Sequence, residues 1–173
     1  MTGLVLRLAD NARVRTDYPE LALELERMGY AAPRPAQVAE AVIRIRRRKL
    51  PDPRAIGNVG SFFHNPTVTA AMAIKLRGQL PRLIAHPQAD GRVKLAAAQL
   101  IDAAGWRGYR SGRVGVWRRQ ALVLVNHGGA SASSILTLAD AIARDVQARF
   151  GVTLTLEPRV VGPQILGPDN EQS

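Results

Sequence analysis

Residues 49–66 read KLPDPRAIGNVGSFFHNP, and the interpretation of the whole chain starts from this stretch. Pro51 and Pro53 force extended backbone and therefore end the helical pattern that precedes them. The glycines permit backbone conformations that other residues cannot adopt, and the closing Asn-Pro predicts a turn. Two of the three phenylalanines of the chain lie here, beside Ser61. A strand in a core does not need glycines and an Asn-Pro turn around it, whereas a backbone that approaches a ligand closely does.

Helical and strand patterns alternate on both sides of this stretch. Residues 35–49 place apolar side chains at the i, i+3, i+4, i+7 spacing of a buried helical stripe, and a long helix capped by Ser133 or Ser134 shows the same spacing. The predicted helices are 19–28, 35–49, 69–77, 96–104 and 133–149, and the predicted strands are 3–8, 114–116, 121–126 and 152–161. This order predicts an α+β fold, with a small mixed sheet and packed helices.

The charge is strongly positive, because the net value is +10 and almost all of it comes from arginine. An anionic partner would explain the surplus, and so would an arginine-rich genome. The run from Arg46 to Lys49 is either a solvated helix end or a phosphate contact. Aromatic residues are not interleaved with the basic runs, so the sequence predicts no base-stacking platform for nucleic acid. A nucleic-acid-binding function would rest on charge alone.

Several classes of site and location are excluded or disfavoured by composition. The chain has no cysteine, which excludes disulfides, thiolate metal sites and cysteine nucleophiles. Its three histidines are scattered without metal-ligand spacing, so no metal site is predicted. No apolar run approaches the ~20 residues of a membrane span, and the first residues lack the features of a signal peptide. We expect a soluble cytoplasmic protein with no membrane or nucleic-acid partner; the sequence does not indicate an oligomeric state.

Four blocks of sequence, in order, resemble the UDP-N-acetylenolpyruvoylglucosamine reductases, the MurB family of peptidoglycan synthesis. The first block is the stretch quoted above, which is similar to the family's K-L-P-D-P…G-N-x-G-S-F-F-K-N-P motif. The others are HPQADGRVKLAAAQLIDAAGWRG (86–108), VGVWRRQALVLVN (114–126) and FGVTLTLEPRVVG (150–162). The resemblance covers roughly residues 35–162 and implies the substrate-binding C-terminal portion of such a reductase.

The resemblance implies a two-step reaction in which NADPH reduces FAD and the reduced flavin gives a hydride to the enolpyruvyl methylene carbon of a UDP-sugar. Ser61 matches the family's proton donor; a serine hydroxyl is a poor acid and needs a neighbour that stabilises the charged state. Glu157 matches the catalytic glutamate when residues 150–162 are aligned without a gap. Pairing LEP with LEP would instead put Arg159 at that position. We prefer the gap-free register, because it pairs Glu157 with the family's glutamate and Arg159 with the arginine two positions later.

The other site residues are assigned by their position in the family's motifs. Lys49 matches a lysine that contacts the substrate's diphosphate, and the polar side chains match residues that bind the nucleotide-sugar. The implied substrate contacts are Lys49, Asn65, Gln120, Asn126 and Arg159, and the implied flavin contacts are Gly57, Asn58 and Gly60. Structural alternatives remain, since Asn65 could simply initiate the Asn-Pro turn and Gln120 could be a polar group at a strand edge. His64 and Trp117 depart from the family, which usually has Lys and His at these positions.

The resemblance also implies that a flavin-binding half precedes this region in the family. By this comparison residues 1–50 are the end of the FAD-binding region, 51–158 are the substrate-binding domain, and 159–173 are a return strand and flexible tail. A shortened gene prediction, a deliberately shortened chain or a split gene would each give this sequence. We expect the isolated chain neither to bind FAD stably nor to turn over. The alternative is a non-catalytic module or remnant that binds a UDP-sugar or phosphate.

Overall fold

The computed structural model describes residues 3–7 and 14–161, which divide into one unit ending at Lys49 and a second beginning at Leu50. The first unit contains the helices α1 (Pro19–Arg27) and α2 (Pro35–Lys49). Residues 3–7 have no regular secondary structure, so the strand predicted over 3–8 is wrong for that part. Val5 is 98% exposed there. Alternation alone does not make a strand when no partner strand lies alongside.

The two helices of the first unit are joined by a small apolar core and by ion pairs. Leu21, Leu25 and Ala41 form the buried cluster. Beside it, Glu24 is only 5% exposed, and its carboxylate accepts a hydrogen bond of 2.8 Å from the guanidinium of Arg48. That hydrogen bond is the main reason why the pKa of Glu24 is lowered. The basic end of α2 is therefore more than a solvated helix end.

The second unit contains two small antiparallel sheets. The strands, in chain order, are β1 (Gly57–Ser61), β2 (Thr67–Val68), β3 (Ala85–Pro87), β4 (Val93–Leu95), β5 (Arg110–Ser111), β6 (Val114–Val116) and β7 (Val123–Asn126). One sheet has the order β1-β7-β6-β5, and the other has the order β2-β4-β3. β1 and β5 are thus the two edges of the four-stranded sheet.

Three helices complete the second unit: α3 (Ala70–Gln79), α4 (Ala97–Ala103) and α5 (Ala132–Phe150). Thr69 caps α3 through its hydroxyl, and the hydroxyl of Ser131 caps α5 by accepting from the N–H of Ser134. The helices pack on the sheets over one apolar core. The largest fully buried side chains of this core are Phe63, Leu76, Leu95, Leu100, Ile101, Leu124, Ile142, Val146 and Val152.

The predicted α+β class is confirmed, with strands in two antiparallel sheets rather than one mixed sheet. Short connections such as the one between β6 and β7 can only join antiparallel neighbours, because a parallel pair needs a long crossover. Within 152–161, where a strand was predicted, Leu156 forms a single bridge to Phe63. Residues 162–173, most of the predicted tail, lie outside the described residues. No helix in the described residues is long and apolar enough to span a membrane.

Candidate functional site

Within residues 49–66, Gly57–Ser61 forms β1, and a bulge interrupts its pairing with β7. Asn58 pairs with Val125 but Ser61 pairs with Val123, so the register shifts by one residue between them. Gly60 has a φ of +77°, which a glycine adopts without strain. The side-chain oxygen of Asn58 accepts a hydrogen bond of 3.1 Å from the N–H of Gly60. The glycine-asparagine frame therefore builds a bulge that turns Val59, 63% exposed, towards solvent.

The phenylalanine pair after the bulge anchors the strand in the core. Phe62 and Phe63 are both buried, with ring centroids 5.8 Å apart in an edge-on arrangement. The N–H of Phe62 donates a 2.8 Å hydrogen bond to the carbonyl of Leu122. Two large buried rings directly after Ser61 fix its backbone, while its own side chain stays exposed. Within the described residues, the hydroxyl of Ser61 has no hydrogen-bond partner, so it is available to a ligand.

Glu157 is brought to this strand from the far end of the second unit. Its N–H donates a 3.1 Å hydrogen bond to the carbonyl of Phe62, the residue directly after Ser61. The N–H of His64 donates a 2.9 Å hydrogen bond to the carbonyl of Thr155, and Phe63 bridges Leu156 between these two bonds. The backbones of Ser61 and Glu157 are thus neighbours, although nearly a hundred positions separate them in the sequence.

His64 lies beside the carboxylate of Glu157, a contact that sequence analysis missed. The Nδ1 atom of His64 is 3.9 Å from Oε2 of Glu157, and the two side chains are 58% and 47% exposed. His64 had been noted only as a departure from the family motif. Residues diagonal to each other across an antiparallel ladder share a face, so pairing residues 62–64 with 155–157 would have revealed the contact.

The predicted amide side chains lie around the same strand, but they are engaged with backbone groups. Oδ1 of Asn65 accepts from the N–H of Ala97, and it thereby caps α4, whose own N-cap residue is an alanine. The side chain of Asn126, opposite Gly57 in the sheet, makes three hydrogen bonds to Gly128 and Ala130. These two residues have clear structural roles whether or not they also contact a ligand.

The remaining predicted substrate contacts differ in their surroundings. Gln120 lies in the turn before β7, where its side-chain oxygen accepts a 3.4 Å hydrogen bond from the N–H of Leu122. Arg159 is exposed, two positions after Glu157, and makes no ion pair with the described residues. Lys49 belongs to the first unit, where its ammonium group is bonded to Glu20. Among the predicted residues, the structure therefore joins the segments of Ser61 and Glu157 and pairs Gly57 with Asn126, whereas Lys49 belongs to the first unit.

The three predicted flavin contacts are not equally suited to that role. A Cβ added to Gly57 would make an ordinary contact of 3.4 Å with the Cβ of Asn126, so a side chain already lies against this glycine. Asn58 is used to form the bulge. A Cβ added to Gly60 would meet nothing within 4 Å, which leaves its backbone open to a flat ring. A cavity of about 220 Å³ lies beside the bulge, lined in part by Val59, Phe62 and Leu124. Gly57 and Asn58 also line this cavity and Gly60 does not, so the open space at Gly60 is the feature of these three residues that leaves room for a flat ring.

Comparisons with known proteins identify the family to which the sequence is similar. Residues 52–161 match the family described as UDP-N-acetylenolpyruvoylglucosamine reductase, C-terminal domain. Similar curated proteins include the UDP-N-acetylenolpyruvoylglucosamine reductases of Pseudomonas aeruginosa, 51% identical over 155 residues, and of Azoarcus sp., 54% identical over 141 residues. The alignments cover 90% and 82% of this chain, but 46% and 41% of those relatives. The chain spans about half the length of the curated relatives it matches.

Proposed function

The chain belongs to the UDP-N-acetylenolpyruvoylglucosamine reductase family, whose C-terminal domain it carries, and we propose that it supplies the substrate-binding part of such an enzyme. The whole enzyme is an NADPH- and FAD-dependent oxidoreductase of peptidoglycan synthesis in the cytoplasm, and it converts UDP-N-acetylglucosamine enolpyruvate to UDP-N-acetylmuramate. The observation that supports the proposal is the backbone hydrogen bond from Glu157 to Phe62, because it joins the segment that carries the proposed glutamate to the segment that carries the proposed proton donor.

The proposed domain organisation follows the family. Residues 1–50 are the end of the FAD-binding region, residues 51–158 are the substrate-binding domain, and residues 159–173 are a return strand and tail. The division of the structure between Lys49 and Leu50 supports the first boundary. Lys49 then belongs to the FAD-binding side, and it would have to exchange Glu20 for the substrate's diphosphate.

FAD, when bound and reduced by NADPH, would supply the hydride for the new C–H bond at the enolpyruvyl methylene carbon. The chain's own residues act on the neighbouring carbon, where negative charge develops and a proton must arrive. We assign that proton to the hydroxyl of Ser61, which is exposed and makes no hydrogen bond within the described residues. Solvent can restore the proton afterwards. Because a serine hydroxyl is a weak acid, the site must stabilise the negative charge that forms. Glu157 is the proposed catalytic glutamate, and Arg159 is a proposed substrate contact whose positive charge has the sign that this stabilisation requires.

Substrate and cofactor binding are assigned to separate groups of residues. The diphosphate and nucleotide are proposed to contact Lys49, Asn65 and Gln120, with Asn126 behind them. The flavin is proposed to lie against the backbone of Gly60. We expect the isolated 173-residue chain not to retain FAD, and flavin absorbance at a 1:1 ratio in the purified protein would contradict this expectation.

A chimaera tests the proposal directly. The matched C-terminal segment of the Pseudomonas aeruginosa relative is replaced by residues 14–161 of this chain, and reduction of the enolpyruvyl UDP-sugar is followed by NADPH oxidation. We expect turnover in the chimaera, and a loss of at least a hundredfold in kcat after Ser61→Ala or Glu157→Gln, with substrate binding retained. Ser133→Ala, at an exposed position of α5, is the matched control. An active Ser61→Ala chimaera would instead favour a module that only binds the substrate.

A further inference from the structure

A second cavity, of about 670 Å³, opens at the β5 edge of the four-stranded sheet, the edge opposite β1. It lies between β5, β6 and the first half of α5. Its volume is within the range of small-molecule sites, which is about 300–1,000 Å³. None of the residues assigned above to the reductase lines it. Any ligand bound here would therefore be separate from the proposed reductase chemistry.

One wall of this cavity is aromatic and held in place from behind. The rings of Trp106 and Tyr109 are 4.8 Å apart and edge-on. The indole N–H of Trp106 donates a 2.8 Å hydrogen bond to Asp145, whose other oxygen is bonded to Arg149 at 2.7 Å. These two partners, Arg149 first, lower the pKa of Asp145, so the acceptor stays ionised at neutral pH. Tyr109 remains 43% exposed. A fixed ring is thus presented to solvent.

The other side of the cavity positions a cation. The guanidinium of Arg113 donates a 3.2 Å hydrogen bond to the carbonyl of Gly129, and the carbonyl of Arg113 accepts from the N–H of His127 at 2.7 Å. A Cβ at position 129 would lie 2.5 Å from Nη1 of Arg113, so a side chain there would displace the guanidinium from this position. The loop itself is held by the three hydrogen bonds of Asn126. The arginine is therefore placed before any ligand arrives.

The charge that lines the cavity is positive and comes from Arg113. None of the described residues that line the cavity is acidic, and Arg113 makes no ion pair with the described residues. Ser111 also lines the cavity, and its hydroxyl has no hydrogen-bond partner in the described part of the chain. A guanidinium presents paired N–H donors that match two phosphate oxygens, and aromatic side chains favour flat rings. We propose that this cavity binds a phosphate ester that carries an aromatic ring, with the phosphate on Arg113 and the ring against Tyr109.

The test is an NMR titration of the 173-residue chain, labelled with ¹⁵N, using adenosine 5′-monophosphate as the probe. This nucleotide lacks the sugar and enolpyruvyl groups of the proposed substrate. We expect saturable binding with a Kd at or below about 1 mM, and the largest amide shifts at residues 109–114 and 128–134. Adenosine and inorganic phosphate, each titrated alone, are expected to bind at least tenfold more weakly, because each offers only half of the recognised chemistry.

Three variants make the test specific. Arg113→Gln and the cavity-filling Ala141→Leu are both expected to weaken nucleotide binding at least tenfold. Arg77→Gln removes the same charge from an exposed position on α3 and should leave binding unchanged. Circular dichroism confirms that each variant is folded. The proposal is overturned if no saturable binding is seen, if Arg77→Gln weakens binding as much as Arg113→Gln, if inorganic phosphate binds equally well, or if the shifts map to residues 57–65.

Discussion

The helical unit of residues 14–49 and the α+β unit of residues 50–161 bury very different kinds of side chain. The first has three buried apolar residues, and an almost fully buried glutamate lies among them, bonded to arginine. The second has a core of twenty buried residues, all of them apolar. Ion pairs near a surface weaken in salt and in acid, whereas apolar burial depends little on either. The two units should therefore respond differently to the same perturbation.

This difference bears on the proposed site. The side chains of the second unit are mounted on an apolar core that fixes their backbone positions, as Phe62 and Phe63 do for Ser61. Lys49 instead belongs to the unit whose helices are joined by charged groups, and it is itself bonded to Glu20. A diphosphate that approaches Lys49 would compete with a carboxylate that also holds the helices together.

The largest effect is expected from a cavity in the apolar core. Ile142→Ala, at a side chain with no exposed surface, should lower the free energy of unfolding by about 2–5 kcal/mol. Both tryptophans lie in the second unit, so denaturant titration followed by tryptophan fluorescence measures that unit alone. Ile74→Ala makes the same chemical change at a side chain that is 73% exposed and should cost much less. Equal losses from the two variants would mean that the core is not organised as described.

A smaller effect is expected at the bulge of β1. Gly60→Ala should lower the stability of the second unit by about 1–2 kcal/mol, because φ is +77° and an alanine is strained there. No steric clash contributes, since the Cβ position is open. The comparison variant is Gly78→Ala, inside α3 and with open space around it, which should stabilise the unit by up to about 1 kcal/mol. Opposite signs in the same fluorescence experiment would support the bulge.

Two substitutions at Asn65 distinguish its structural role from its proposed role in binding. Asn65→Ala removes the acceptor that caps α4 and should cost about 1 kcal/mol. Asn65→Asp keeps an acceptor at the same place and should leave stability nearly unchanged. If the side-chain NH₂ also binds the nucleotide-sugar, then Asn65→Asp in the chimaera should weaken substrate affinity without loss of stability. Calorimetry of both variants decides between the two roles, and unchanged affinity in Asn65→Asp would leave only the cap.

The smallest effect is expected in the helical unit and depends on pH. Arg48 lowers the pKa of Glu24 in the folded state, so the pair stabilises the fold above the usual glutamate pKa of about 4.3. As the pH falls from there through the folded-state pKa, this stabilisation should be lost. Amide hydrogen exchange of α1 and α2 between pH 6 and pH 3 measures the change. Glu24→Gln should flatten the profile, whereas Glu40→Gln, in an exposed pair with Arg44, should not.

Long periodic helices were the most predictable part of the fold. The helix predicted over 35–49 forms with those bounds, and the one predicted over 133–149 forms as Ala132–Phe150. Its cap was wrong: Ser131, not Ser133 or Ser134, caps it, because spacing alone does not distinguish among neighbouring serines. The two-residue strands β2 and β5 were not predicted, since such short segments carry no alternation and exist only through their partners.

The candidate site was predicted from motifs. Motifs do not distinguish residues that could take part in the reaction from residues that stabilise the fold. The family resemblance selected Asn58, Asn65 and Asn126 together with Ser61, yet the three amides bond to backbone groups while the serine does not. Nor could spacing predict the contact between His64 and Glu157, because it depends on a pairing between segments about ninety residues apart. Local sequence patterns predict local structure, whereas pairing between distant segments can be identified only from the three-dimensional structure.

The N–H of Phe62 donates a hydrogen bond to the carbonyl of Leu122, and the carbonyl of Phe62 accepts one from the N–H of Glu157. This sharing has a consequence for biosynthesis. During translation β1 leaves the ribosome long before its partners, and the carbonyl of Phe62 can bond only to water until residues 155–157 emerge. Loop closure over such a distance is slow relative to helix formation. The backbone next to Ser61 would thus acquire its final hydrogen bonds at one of the last steps of folding, when the segment that carries Glu157 arrives.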